Sequence, residues 1–142
     1  MEIKIAESAA ELERIAPVLL QLRTNFDRQS LLAQIRVQQR AGYQIAYAES
    51  GGEVLCVAGF VVSSKLAWGK NIYIDDLVTD ANHRSSGAGK GMMDWLKSYA
   101  KEKGCEQLHL DSGVQRFAAH RFYLRERFEI SSHHFAVRDL SP

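Results

Sequence analysis

The chain opens on an alternation of polar and apolar residues, Glu2-Ile3-Lys4-Ile5-Ala6, which predicts a first strand over 2–6. Ser8 and Glu11 stand at capping-box spacing, so a helix should begin there. Leu12, Ile15, Leu19, Leu22 and Phe26 recur at helical spacing and define its apolar face. Pro17 falls inside that run; it removes one helical hydrogen bond and predicts a kink or a split. Asp27 to Arg40 reads as a second, more polar helix carrying Leu31, Leu32 and Ile35, with Gly42 closing it. The period then shortens. Tyr43 to Ala48, a turn at Ser50-Gly51-Gly52-Glu53, and Val54 to Ser63 form a hairpin signal. A third strand, Asn71 to Thr79, follows a loop around Trp68-Gly69. Beyond a glycine-rich turn, Met92, Met93, Leu96 and Ala100 line one face of a helix running from Gly87 to Lys103, which Gly104 ends. Gln107 to Asp111 predicts a short strand, Arg116 to Arg125 a helix, and Phe128 to Val137 closing strands.

This order implies an α/β domain with a mixed sheet, a single domain over 1–142. Composition narrows the class. With 18 Lys+Arg against 17 Asp+Glu the net charge is +1, too small an excess for a dedicated nucleic-acid binder. No apolar run approaches the ~20 residues of a membrane span, and the N-terminal pattern reads as a strand and not as an apolar signal core. Cys56 and Cys105 form no Cys-x-x-Cys and sit in strand-like segments, so the expectation is two reduced thiols in a cytoplasmic protein. No His/Cys/Asp cluster at ligand spacing suggests a metal.

The segment that carries chemistry runs from Leu77 to Met92. Gly87 and Gly89 remove side chains where backbone would meet a ligand. The first turn of the following helix offers unpaired N–H groups and a partial positive charge, and Arg84 and Lys90 add full charges. Together they make a site for a phosphate or pyrophosphate. A dinucleotide fingerprint fails because Met92 stands where its last glycine belongs. A P-loop fails because Arg84 stands at its first glycine and Gly91 follows the lysine.

What remains, Arg84-x-x-Gly87-x-Gly89 after a strand ending Leu77-Val78-Thr79, resembles the pyrophosphate loop of the GNAT superfamily of N-acetyltransferases. Ala119-His120-Arg121-Phe122-Tyr123 is similar to that family's Ala-x-x-Phe-Tyr, and the element order matches over nearly the whole chain. Two positions depart from the pattern. Arg116 stands where the family often has Asn. Arg127-Phe128 stands where it usually has Gly-Phe, a change that costs little if Arg127 keeps a negative φ.

The resemblance implies a GNAT-like fold with a mostly antiparallel sheet and flanking helices, whose central parallel strands, 71–79 and 107–111, splay apart to admit acetyl-CoA. A bulge in the former frees backbone groups of Leu77, Val78 and Thr79 for the pantetheine arm. Arg84, Ser85, Ser86, Gly87, Ala88, Gly89 and Lys90 hold the pyrophosphate. Tyr123 is the implied general acid and Asp75 the implied base, with Asp76 as its alternative; by simple alternation the two aspartates face opposite sides of the strand. His133 and His134 are weaker candidates for the base. The implied reaction is direct transfer of an acetyl group to the primary amine of a small molecule. A protein lysine or N-terminus is the alternative acceptor, and a non-catalytic acyl-CoA-binding module the alternative class. The acceptor pocket would draw on residues 24–40, the 64–72 loop and the closing strands. A homodimer through sheet edges or closing strands is compatible with Trp68, Phe135 and Val137.

Overall fold

The computed structural model describes residues 1–141, arranged as two compact units, Met1–Leu110 and a second that starts at Asp111. In the first unit β1 (Glu2–Ile5) leads into α1 (Ala9–Leu22). Ser8 caps α1 as its spacing predicts: its hydroxyl accepts from the Glu11 amide while the Glu11 carboxylate accepts from the Ser8 amide. Pro17 does not split the helix. It is exposed, while Leu12, Ile15 and Ala16 before it and Val18 and Leu19 after it are buried. Each such side chain contributes ~1.5–3 kcal/mol, so two anchored halves outweigh one missing hydrogen bond. α2 (Arg28–Arg40) starts at Asp27, whose side chain accepts from the Ser30 amide.

β2 (Tyr43–Ser50), β3 (Glu53–Lys65) and β4 (Gly69–Thr79) form an antiparallel meander, β1 adds to β2, and β5 (Gln107–Leu110) pairs parallel to β4. Strand order therefore equals chain order, β1-β2-β3-β4-β5. Alternation sorts the two faces. Tyr43, Ile45, Tyr47 and Val57 pack with α1 and α2 in one core cluster. On the other face α3 (Ala88–Glu102) buries Met92, Met93 and Leu96. There Trp95 and Tyr99 of α3 meet the Phe60 ring edge-on at 6.3 and 5.6 Å. Cys56 is buried, Cys105 partly so, and both thiols are free. Among the described residues no helix is long and apolar enough to cross a membrane.

The second unit contains α4 (Phe117–Arg125). Its end is a Schellman motif: the Phe128 amide donates to Tyr123 O and the Arg127 amide to Leu124 O. Such a stop needs a left-handed residue, and Arg127 supplies it at φ 72°. The negative φ on which a small cost depended is not adopted: the helix stops as a glycine would stop it, but with a Cβ in place. The expected closing strands over 128–137 do not form, and 126–141 holds no strand. Phe135 and Val137 are 90% and 80% exposed. Alternating apolar residues give strand propensity, but a strand persists only against a partner edge.

Candidate active site

β4 carries a bulge. Gly59 of β3 pairs with Asp76 and Phe60 with Ile74, so Asp75 is the inserted residue with no partner across the ladder. Pairing with β5 ends at the same level, at Ile74–Leu110, while β4 runs on to Thr79. From Asp75 to Thr79 the outer edge of β4 has no strand beside it in the sheet. The parallel pairing of β4 with β5 expected from the sequence is present, and it stops where β5 ends.

The bulge also breaks the alternation that would set Asp75 and Asp76 on opposite faces. Their fates differ for another reason. The Asp76 carboxylate accepts from Arg23 Nε at 2.7 Å and from the Tyr43 hydroxyl at 2.6 Å. Arg23, at the C-cap of α1, also donates to the carbonyl of Asp75 at 2.9 Å. Burial and the Asp76 charge push the Tyr43 phenol far above its ordinary value, so it stays a donor. Tyr43 lies over Gly59, where an added Cβ would sit 1.7 Å from its hydroxyl oxygen. The Asp75 carboxyl is solvent-exposed and takes no hydrogen bond or ion pair among the described residues. Surrounding protein still partly desolvates it, and Asp76 repels its charge, so its pKa is raised above the usual carboxylate value; Arg23 and Lys65 oppose this only partly.

After Thr79 the chain turns through Ala81–His83 and reaches α3. Gln21 of α1 pins the entry, donating to Asp80 Oδ1 at 2.6 Å and accepting from the Ala81 amide at 2.9 Å. His83 Nε2 sits 3.0 Å from Glu53 at the start of β3. Ser85 at φ 65° and Gly87 at φ 86° are both left-handed, a backbone path that gathers successive N–H groups into an anion-binding concavity. Gly87 is the N-cap, and the first amide to bond back within α3 is Gly91 N, to Gly87 O. The first-turn amides of Ala88, Gly89 and Lys90 precede that bond, although Ala88 N reaches Ser86 Oγ at 3.4 Å. Arg84, Ser85, Ser86 and Lys90 are exposed.

The first unit thus brings together Asp75, Leu77, Val78, Thr79 and the 84–90 loop along one strand and its turn. Tyr123 belongs to the second unit, on α4, with its ring edge-on to Phe122 and Phe128 at 5.5 and 5.9 Å. There His134 Nδ1 lies 3.5 Å from Asp111. Sequence reasoning missed Gln21, Arg23, Tyr43 and Gly59, which hold the bulge and loop from other elements. Only Gly59, a glycine inside a β3 pattern, carries a signal that could have marked close approach at a bulge.

Comparison with known proteins gives the family and the fold. The family model described as acetyltransferase (GNAT) family matches residues 9–128. The chain is 30% identical over 95% of its length, and 96% of the relative's, to the uncharacterized N-acetyltransferase YhdJ of Bacillus subtilis. A shorter match, 34% identical over 44% of this chain and 40% of the relative, is to the aminoalkylphosphonate N-acetyltransferase of Salmonella typhimurium. Among solved structures, a ribosomal-protein-alanine N-acetyltransferase from Brucella melitensis superposes with TM-score 0.83 at 17% identity, over 98% of this chain and 100% of that one. The aminoglycoside acetyltransferase AAC(6')-Iy, in complex with a bisubstrate analogue, superposes with TM-score 0.81 at 14% identity over 99% and 100%. The chain belongs to the GNAT family of acetyltransferases.

Proposed function

We propose that this protein transfers the acetyl group of acetyl-CoA to the primary amine of a small molecule. The observation that carries this is the open outer edge of β4 leading directly into a left-handed loop at the start of α3. An extended amide-bearing arm can add to that edge as a strand does, ending with its phosphates on the loop. Leu77, Val78 and Thr79 would hold the pantetheine amides, and the backbone from Ser85 to Lys90 the pyrophosphate, with Arg84 and Lys90 adding charge. The aminoglycoside and aminoalkylphosphonate acetyltransferases among the relatives and neighbours support an amine of small-molecule type.

Acetyl-CoA supplies an activated thioester; the chain supplies proton handling. An alkylammonium has a pKa near ~10.4 and must lose a proton before it can attack. Asp75, whose exposed carboxyl has a raised pKa, would accept it, directly or through water. A β4 amide freed by the bulge would stabilise the developing oxyanion. As the new C–N bond forms and the C–S bond breaks, the Tyr123 hydroxyl would protonate the leaving thiolate and be restored from solvent.

Calorimetric titration with acetyl-CoA, beside NAD and ATP, tests the cofactor. Micromolar binding (roughly −8 kcal/mol) of acetyl-CoA alone is expected. Gly89→Asp, which sets bulk and negative charge at the pyrophosphate, should abolish it. An amine-library screen for thiol release then tests turnover, and Asp75→Asn and Tyr123→Phe should lose rate with little loss of acetyl-CoA affinity. No acetyl-CoA binding by folded protein refutes the proposal.

A further inference from the structure

Trp68 lies in the turn between β3 and β4, and its ring stacks on His109 of β5 with centroids 3.5 Å apart and planes 9° from parallel. Tyr73 continues this surface, its ring 3° from parallel to Trp68 at 6.4 Å. Tyr73 is in register with His109 on one side and Val61 on the other, so these side chains leave the sheet on one face. Gln107 Oε1, 2.6 Å from His109 Nε2, steadies the imidazole. The chain already sets a cation here. Lys65 Nζ lies 4.3 Å from the Trp68 centroid and 5.3 Å from that of Tyr73, within the range at which a ring face attracts ammonium. A ring stacked at 3.5 Å fills one face of the indole, so the ammonium occupies the other.

We propose that Trp68, Tyr73 and His109 form a seat for a second positive charge on the acceptor, one that Lys65 fills when no acceptor is bound. The inference rests on the acetyltransferase reading and names its substrate class: amines carrying another cationic group. Two arguments support it. A cation on an aromatic face is stabilised as a cation, whereas the attacking nitrogen must be neutral. The seat is therefore unsuited to the nucleophile and suited to a group that keeps its charge. Second, Asp75 is two residues along β4 from Tyr73, roughly 7 Å by strand rise. The Lys65 charge already reaches the Asp75 carboxyl, opposing its raised pKa. A short tether between two amines can span from seat to base. An aromatic seat also attracts charge without adding a carboxylate that would hold the attacking amine protonated.

Lys65 is exposed, so an incoming cation can reach and displace its ammonium. The test uses the full chain carrying Trp95→Phe, which leaves Trp68 as the sole indole of the two in the sequence. The probes are α,ω-diaminoalkanes of graded length, with n-alkylamines of matched length as controls. Diamines alone should produce a saturable change in Trp68 emission. Lys65→Ala should tighten that binding roughly two- to fivefold, the scale of one exposed cation–π contact. In turnover with acetyl-CoA, diamines should show the lower KM, a preference that Trp68→Leu removes. No saturable change with any diamine, or a response indifferent to Lys65→Ala, overturns the seat. Diamine binding without any acetyl transfer supports the seat and refutes the transfer reading. Transfer with equal KM for diamines and monoamines supports the enzyme and refutes the seat.

Discussion

Gly59→Ala tests the packing that fixes the bulge. The new methyl would lie 1.7 Å from the Tyr43 hydroxyl oxygen, 2.4 Å from Cζ and 2.7 Å from Cε1. Van der Waals contact needs roughly 3.5 Å, so the ring must retreat by well over an ångström. Tyr43 is buried to 5% exposure within the α1–α2 core and has little room to move. A retreat also breaks its 2.6 Å hydrogen bond to Asp76. Overpacking at roughly 1–3 kcal/mol plus loss of a hydrogen bond to a charged group at roughly 1.5–3 kcal/mol gives about 2.5–6 kcal/mol of destabilisation. Urea denaturation of the wild type, Gly59→Ala, Tyr43→Phe and the double variant measures it. Tyr43→Phe deletes the hydrogen bond that Gly59→Ala already breaks, so the double variant should be less destabilised than the sum, by about 1–3 kcal/mol. A cost below about 1 kcal/mol for Gly59→Ala, or strict additivity, would refute the claim that the ring lies against this glycine.

Asp76→Asn removes the charge that helps raise the Asp75 pKa and releases Arg23 to act on Asp75, both of which lower it. With Asp75 as base, the acid limb of kcat/KM should move to lower pH, and an unmoved limb would mean that another group is titrating. Arg127→Gly places glycine at a φ of 72° and should stabilise the fold by roughly 0.5–1 kcal/mol in a thermal melt, since the left-handed cost of ~1–2 kcal/mol is partly offset by glycine's greater unfolded freedom. Glu11 accepts from the Tyr47 hydroxyl and the Ser8 amide, which hold its pKa down to about 2 against the usual 4.5. Its folded pKa lies below the unfolded one, so its contribution is complete above about pH 4.5 and is lost as the pH falls towards 2. Glu11→Gln should therefore flatten the decline in urea midpoint across that window, and an equally steep decline would show that other carboxylates carry it.

Elements that depend on short-range pattern were legible. The capping box of α1 involves residues three apart, and the alternation of β2 to β4 is a property of each strand alone. The strand–loop–helix passage into α3 was legible because the glycines and the first-turn amides lie in one stretch of chain. Where an element depends on a distant partner, pattern alone misleads in both directions. Pro17 reads as a break, yet the buried residues on both sides hold α1 through it. Residues 128–137 read as strands, yet no ladder forms. Arg127 lacks the glycine of a left-handed stop, yet the two capping hydrogen bonds of α4 impose that conformation on it.

The same logic decides which of two adjacent carboxylates is available for chemistry. Asp75 and Asp76 are chemically identical and neighbours in sequence, so no local rule separates them. Arg23 and Tyr43, 53 and 33 residues from Asp76, fill the oxygens of that carboxylate. With both oxygens engaged in charge-assisted hydrogen bonds, that carboxylate is committed to holding Arg23 and Tyr43. The bulge leaves Asp75 out of register, and Arg23 fixes its carbonyl while its carboxyl remains open. Asp76 then acts on Asp75 through charge alone and makes it more basic. One carboxylate is thus spent holding the strand in the shape that exposes the other, and this division of labour ties Arg23 and Tyr43 to the proposed base although neither need touch a substrate.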